Sequence, residues 1–422
     1  MNKYFFSTKY LDSGKRVITL TATFPSLIQP WLINQLIQII KHGGENRIIA
    51  RREEIDVYAT NLNKYNLLDY YSIAPEKKHK LFLSFFFMLL SPYSLFSIMR
   101  GILKYPRVLR SSSFTLKEKI FSFFLLPYMG MRNVDIVHSH SEMAGNKFMP
   151  IIEALNVPLV ITFHGLPPVG VKPVSSSDRD RYISKASKIL VNTNFAKTQY
   201  INLGADPGLI EVIPQGTILD DFPFKPKPFP LNNKINILTV GRLNKEKGQE
   251  YVINAIPLLM KHGFAVKYTL VGGGPDKERL IDLANNLGIA DSIEIISPVP
   301  HHVLREIYNS SHIFILPSLK SQNETWDETQ GVVLQEAQAS GLITIATNAG
   351  GIPECIDNNI SGFLINDRSS EEIKSTMLKL LSSPSDWETY QNLGRRWVEE
   401  NYDINVIGNK LNEVYDNIIM NK

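Results

Sequence analysis

The chain has 422 residues, of which 44% are hydrophobic, and carries a formal net charge of +4. Such a length and composition build two or three cored domains and exclude a disordered tail or a fibre, while the single cysteine, Cys355, excludes an intramolecular disulfide framework and fits a reducing compartment. The modest net charge hides a local excess: residues 77–132 hold ten Lys or Arg and one acid, a net of +9, so the remainder carries 4 − 9 = −5.

At the start of the chain, the apolar patch Tyr4–Phe6 is far smaller than a signal-peptide core and no small-residue cleavage site follows it, so a cytoplasmic protein is expected. "KRVITLTATF" reads as a strand and "LINQLIQIIKHG" as a helix stopped by Gly43-Gly44. Next comes a basic apolar insert at about 77–132, which contains "LFLSFFFMLLSPYSLFSIM" (81–99) and "IFSFFLLPYMGM" (120–131). Apolar runs flanked by Lys and Arg are how a chain lies on an anionic membrane surface. Pro92 and four serines interrupt the first run, and a crossing there would leave strands of one sheet on opposite sides of the bilayer. A surface-seated helical insert is therefore expected, ahead of a buried hairpin or a membrane-spanning helix.

Strand candidates resume at "VDIVHSH" (134–140), "PLVITFHG" (158–165), "KILVNT" (188–193) and "IEVIPQG" (210–216), with helical patterns between them. "DDFPFKPKPFPLNNK" (220–234) carries four prolines within eight positions and reads as a linker, with 223–234 as its span. The alternation restarts at "INILTVG" and runs through "VKYTLVGGG", "SIEIIS", "IFILPS" and "LITIAT", with a helical pattern after each of the first four. Alternating strands and helices predict an α/β chain of two doubly wound, Rossmann-like domains, 1–222 and 235–400, with ligands at strand carboxyl ends in the cleft between them. A last helix within 401–422, with Ile404, Ile407, Leu411, Val414 and Ile418 on one stripe, is expected to pack across the domains.

Candidate chemistry clusters after those strands. Gly241, Arg242, Lys247 and Gly248 in "GRLNKEKG" place two cations and mobile backbone at a strand end, a suitable pair for a diphosphate. "VGGGP" (271–275) is a glycine-rich turn without the full dinucleotide spacing. In "NETWDETQGVVLQEAQASG" (323–341) a helix beginning near Gln330 and Gly331 leaves Glu328 just ahead of its mouth and Glu336 inside it. Unpaired amides at that mouth suit a phosphate and the two carboxylates suit hydroxyls, a combination that fits a nucleotide sugar. The plainer alternative makes Glu328 a dipole cap and Glu336 a solvated helix residue. His164, at a strand end before Gly165, faces the cleft and can donate to a sugar hydroxyl. His138 and His140 share a strand face but have no acid at ligand spacing, and no Asp-x-Asp stands at a strand end, so neither a metal site nor a cofactor is expected.

Taken together, "GRLNKEKG", "VGGGP", "ILPS" and "ETQGVVLQEAQASGLITIATNAGGIPECIDNNISGFLI" strongly resemble the nucleotide-binding domain of glycosyltransferase family 4, retaining enzymes of the GT-B fold. The likeness covers residues 235 to about 400; "DIVHSH", "TFHG", "ILVNT" and "IPQG" extend it more loosely over the first domain. The opening "TATFPSLIQPWLINQLIQIIKHG" resembles the subgroup that builds exopolysaccharide, colanic-acid-like or O-antigen units on a lipid carrier. The resemblance implies that Arg242 and Lys247 clamp the diphosphate, that Glu328 contacts the donor sugar near the reacting centre and that Glu336 takes the ribose hydroxyls. It assigns donor contacts to the amides around Gln330, Gly331 and Val332, and a donor-sugar hydroxyl to His164. Thr329-Gln330-Gly331 departs from the Gly-Phe-Gly or Gly-x-Pro of many members and leaves the donor sugar open, and "FPSLIQP" lacks their glycine-rich loop. The implied protein is a peripheral membrane enzyme that passes a sugar from a nucleotide-sugar donor to a lipid-linked saccharide, with no nucleic-acid partner. A sugar-nucleotide epimerase of the same two-domain architecture, acting on a soluble substrate, is the alternative.

Overall fold

Buried, nearly continuous apolar strands joined by helices pair in parallel, because each crossover helix covers one face of the sheet and returns the chain to the same edge. The computed structural model describes residues 14–421 apart from 25–29, 43, 55–70, 75–77, 89–98, 100–102, 104–105, 107, 112, 127–133, 167–173, 231–233 and 323–325. Residues 89–98 of the first apolar run, 127–131 of the second and most of "FPSLIQP" thus lie outside the described residues.

The first sheet contains β1 (Arg16–Thr23), β2 (Glu45–Arg52), β3 (Tyr71–Ile73), β4 (Ile136–Ser139), β5 (Leu159–Phe163), β6 (Ala186–Val191) and β7 (Ile210–Val212) in the order β3-β2-β1-β4-β5-β6-β7. The second contains β8 (Lys234–Val240), β9 (Ala265–Val271), β10 (Ile293–Ile296), β11 (Ile313–Leu316), β12 (Ile343–Thr347) and β13 (Phe363–Ile365) in the order β10-β9-β8-β11-β12-β13. Every pairing is parallel. The strand order reverses between β1 and β4 and again between β8 and β11, and crevices open at such points on the carboxyl side. The expected pair of Rossmann-like domains is present. β2, β3 and β13 are additions that the sequence reading did not make.

In the first domain the helices that the described residues delimit are α1 (Pro30–Lys41), α2 (Lys78–Met88), α3 (Leu116–Phe123), α4 (Glu142–Leu155), α5 (Ser176–Ser184) and α6 (Asn194–Asn202). The second has α7 (Gln249–Met260), α8 (Lys277–Asn286), α9 (His301–Ser310), α10 (Val332–Ala339), α11 (Ser370–Leu381) and α12 (Trp387–Asn401). The final helix, α13 (Ile404–Met420), returns to the first domain. Its Ile407, Leu411, Val414 and Tyr415 pack against Val17, Ile39, Ile136, Val160 and Leu190 of the first sheet and α1.

The proline-rich segment is more than a tether. Lys227 is buried: its amide donates to Gln391 Oε1 (2.8 Å), its Nζ donates to the Ser340 carbonyl (2.9 Å), and its carbonyl accepts from Trp387 Nε1 (3.0 Å). Four prolines exclude regular structure there, yet side chains of the second domain satisfy the polar groups that the segment exposes.

Within the insert, Thr115 opens α3 with a reciprocal capping box to Glu118. Phe82 and Phe85 of α2 pack on Phe123 and Phe124, with Phe85–Phe124 ring centroids 5.1 Å apart, and Phe86 packs on Phe82 and Phe85. Leu81 and Phe85 are buried, whereas Phe82, Leu83, Leu116 and Ile120 are 48%, 55%, 70% and 54% exposed. Among the described residues, no helix is long and apolar enough to cross a membrane.

Candidate active site

The loop after β8 begins at Gly241 and Arg242 and closes in a single 3₁₀ turn, Lys245–Lys247. Gly248 ends that turn at φ +62°, and a Cβ there would stand 2.1 Å from the Pro317 carbonyl oxygen, so only glycine lets this loop approach the one after β11. The loop after β9 supports it from the other side: Gly241 N–H donates to the Val271 carbonyl and Leu243 N–H to the Gly273 carbonyl, at 3.0 and 2.9 Å. The "VGGG" turn thus carries the Arg242 loop.

Glu328 reaches into this junction. Its Oε2 accepts from Lys247 Nζ and from Ser318 Oγ (3.3 Å). Trp326, half-buried two residues earlier, lies beneath both cations, with Lys247 Nζ 5.3 Å and Arg242 Cζ 6.0 Å from its ring centroid. Cations over an aromatic face are held electrostatically while keeping donors for another ligand. Arg242, Lys247, Glu328 and Trp326 therefore form one cluster at the carboxyl ends of β8 and β11. The sequence reading missed Trp326, although it stands in the quoted stretch itself.

Gly331 is the N-cap residue of α10, with no side-chain cap, and its N–H points at Cys355 Sγ (3.4 Å). Val332 opens the helix, so the expected helix start is correct to within two residues. Glu336 corrects the solvated alternative. It is 8% exposed, and its Oε2 accepts from Tyr308 Oη of α9 at 2.9 Å. Burial pushes its carboxyl up to about 7 against the smaller opposing effect of the Tyr308 hydrogen bond. A second hydroxyl offered to this carboxylate would favour the ionised form.

Between Glu328 and α10 the chain is fastened to the first domain. Thr329 Oγ1 donates to the His164 carbonyl (3.1 Å) and accepts from Asn192 Nδ2 (3.0 Å), and the Thr329 carbonyl accepts from Thr193 Oγ1 (2.8 Å). The Gln330 side chain pairs with the Gln215 backbone in both directions, each bond 2.9 Å. The Gln330 amide group thus faces the domain seam, where Gln215 and Thr329 hold a role that the sequence reading did not assign them.

His164 joins the seam through its main chain, and its half-buried ring continues inward. Nδ1 lies 3.1 Å from Gln215 Nε2 and Nε2 lies 3.1 Å from His140 Nδ1. His140 Nε2 meets the Gln35 amide at 3.2 Å, while His138 contacts Tyr415 Oη and Thr162 Oγ1, each at 2.6 Å. Burial lowers His138 and His164 to about 3 and His140 well below its usual value, so all three rings are neutral at pH 7. Both nitrogens of His164 have protein partners, and a sugar hydroxyl would have to displace one of them.

Two Rossmann-like domains, with a cation pair and a carboxylate at strand ends on the second, define the class of GT-B glycosyltransferases. Residues 221–400 match the family described as glycosyl transferases group 1 and residues 92–221 match glycosyltransferase family 4. Each match covers less than half of the chain, and together they span residues 92–400, one over each domain. It is similar to D-inositol 3-phosphate glycosyltransferase of Corynebacterium kroppenstedtii, at 28% identity over 60% of this chain and 58% of that one. It is also similar to the GDP-mannose-dependent alpha-(1-6)-phosphatidylinositol monomannoside mannosyltransferase of Mycobacterium tuberculosis, at 25% identity over 57% and 64%. The chain spans about three fifths of the length of these curated relatives. Among solved structures, Anabaena Alr3699/HepE in complex with UDP superposes with a TM-score of 0.70 at 15% identity, over 96% of this chain and 100% of that one.

Proposed function

We propose that this chain is a retaining, metal-independent glycosyltransferase that moves a hexosyl group from a nucleotide sugar to a lipid-linked saccharide, in synthesis of a surface polysaccharide such as an exopolysaccharide or lipopolysaccharide. The observation that carries the reading is the Arg242–Lys247–Trp326–Glu328 cluster. A diphosphate draws Lys247 from Glu328 and is held by both cations, which frees the Glu328 carboxylate to accept from the donor sugar near its anomeric carbon. Glu336 ionises to accept from the ribose hydroxyls, and the amides at Val332 and at Gly331, the latter drawn from Cys355 Sγ, meet the donor. The family likeness implies retention by same-face displacement, with the leaving phosphate oxygen taking the acceptor proton. The protein's part is then positioning and stabilisation of the charge that develops on the diphosphate. The group 1 match and the transferase relatives support this reading over an epimerase.

The membrane part of the proposal rests on the insert. Phe82, Leu83, Leu116 and Ile120 are exposed beside Lys80, Arg110 and Lys117, a face suited to an anionic surface at the cytoplasmic side of the cell membrane. The names of the relatives favour a second acceptor reading, an inositol phosphate or phosphatidylinositol mannoside.

Donor binding tests the proposal. Titration with UDP and GDP should change tryptophan fluorescence in a saturable way with one of them; Trp326→Phe should abolish the change, and Lys247→Ala should weaken binding about ten- to a hundredfold. Failure of both nucleotides to bind contradicts the assignment. Transfer should also survive a chelator.

A further inference from the structure

A cavity of about 1800 Å³ lies beside the insert, well above the roughly 300–1,000 Å³ of ordinary small-molecule pockets. Its two walls differ in chemistry. Along α2 and α3 it is lined by Leu81, Phe82, Leu116, Ile120, Phe121 and Phe124. The opposite wall belongs to the domain frame: Arg51 from the carboxyl end of β2, Met143, Asn146 and Lys147 from the first turns of α4, and Ser175, Asp178 and Arg181 around α5. On this frame wall the cations Arg51, Lys147 and Arg181 outnumber the acid Asp178, a net of 3 − 1 = +2, while Lys117 and Glu118 of α3 cancel; Glu118 and Asp178 both pair with Arg181. Arg51 is buried, with its guanidinium 5.8 Å from the Phe121 ring centroid, where the two walls meet.

We infer that this cavity binds a single long-chain lipid phosphate, with the chain along the face that α2 and α3 line together and the phosphate against the cationic wall. The inference rests on the transferase reading above and gives its acceptor a place. Three observations support this occupant over a bare membrane contact. The volume suits a long chain; the exposed apolar side chains lie on the insert side and the net positive charge on the frame side, as the two ends of an amphiphile require; and the cationic wall stands at the carboxyl ends of β2 and β4. His140 and His164 follow β4 and β5 directly, so a saccharide attached to the phosphate starts on the side of the sheet where the site lies. The exposed rim, Leu83, Leu116 and Ile120, is then the mouth through which the chain leaves the bilayer.

The test is calorimetry on the full chain with farnesyl phosphate, farnesol and inorganic phosphate, below the concentration at which the lipid forms micelles. Farnesyl phosphate should bind one to one, with farnesol and phosphate each at least tenfold weaker. Leu116→Glu with Ile120→Glu, both on exposed positions, should weaken farnesyl phosphate at least tenfold while UDP or GDP binding and thermal stability stay unchanged. Lys147→Gln, on the cationic wall, should weaken farnesyl phosphate and leave farnesol unaffected. Equal binding of phosphate alone, insensitivity to these substitutions, or sedimentation with anionic vesicles without farnesyl phosphate binding overturns the inference. Nucleotide binding without farnesyl phosphate binding removes the groove and leaves the transferase reading. The reverse removes the transferase reading and leaves the groove.

Discussion

Glu328 and Glu336 are chemically alike and sit in unlike surroundings. Glu328 is salt-bridged to Lys247 and partly open, while Glu336 is buried against one phenol. Glu328→Ala keeps the fold, because the side chain lies in a loop ahead of α10, and should lower kcat about 10²–10³-fold, the scale for loss of one preorganised electrostatic contact; near-normal turnover in a steady-state assay would refute its role. Glu336 makes a claim about stability. A carboxyl raised from 4.5 to about 7 holds a proton in the folded state that the unfolded state has lost, so stability falls as pH rises through that window. The loss is of the order of 3 kcal/mol at most. Urea melts at pH 5 and pH 8 should show it in the wild type and not in Glu336→Gln, and parallel behaviour of the two proteins would contradict a buried, raised carboxyl.

At the scale of elements, position follows from loops that fit only one backbone. Gly350 has φ +56°, and a Cβ there would stand 2.2 Å from the Glu328 carbonyl oxygen, which also accepts from Gly351 N–H at 2.7 Å. Gly350→Ala should cost about 1–3 kcal/mol by thermal melts and displace Glu328, so kcat should fall more than donor affinity; an unchanged kcat would show that the loop does not position Glu328. The elements that carry this site were legible because each site residue follows an apolar strand with a turn after it. β2 was not. Glu45, Arg47, Arg51 and Arg52 break its apolar pattern, and the fold accommodates Glu45 and Arg47 by pairing them at 3.1 Å inside the sheet. β3 and β13 are three residues each, too short for a period to register. In α12 the buried face is Trp387, Gln391, Gly394 and Val398, so helical spacing is present without an apolar stripe. Arg242, Lys247 and Glu328 could be grouped from strand ends alone. The burial of Glu336 could not, because its partner Tyr308 lies on another helix, 28 residues away in sequence.

Across the whole molecule, the two domains meet through the segment that holds the site. Thr329 and Gln330 tie it to β5, β6 and the strand-end loop at Gln215, while α13 returns to the first sheet. The local charge of the insert acts at the same scale. Replacing Lys77, Lys78 and Lys80 with Gln should weaken partition onto anionic vesicles by about 1 kcal/mol per charge at low salt; unchanged sedimentation would separate these lysines from any membrane role. The central claim is sugar transfer from a nucleotide donor held by Arg242, Lys247 and Glu328. Its most direct test is nucleoside diphosphate release from a panel of UDP- and GDP-sugars, with and without a lipid-linked oligosaccharide extract, beside Glu328→Ala. The account predicts acceptor-dependent release from one donor that the variant loses; interconversion of donor sugars without release would contradict it.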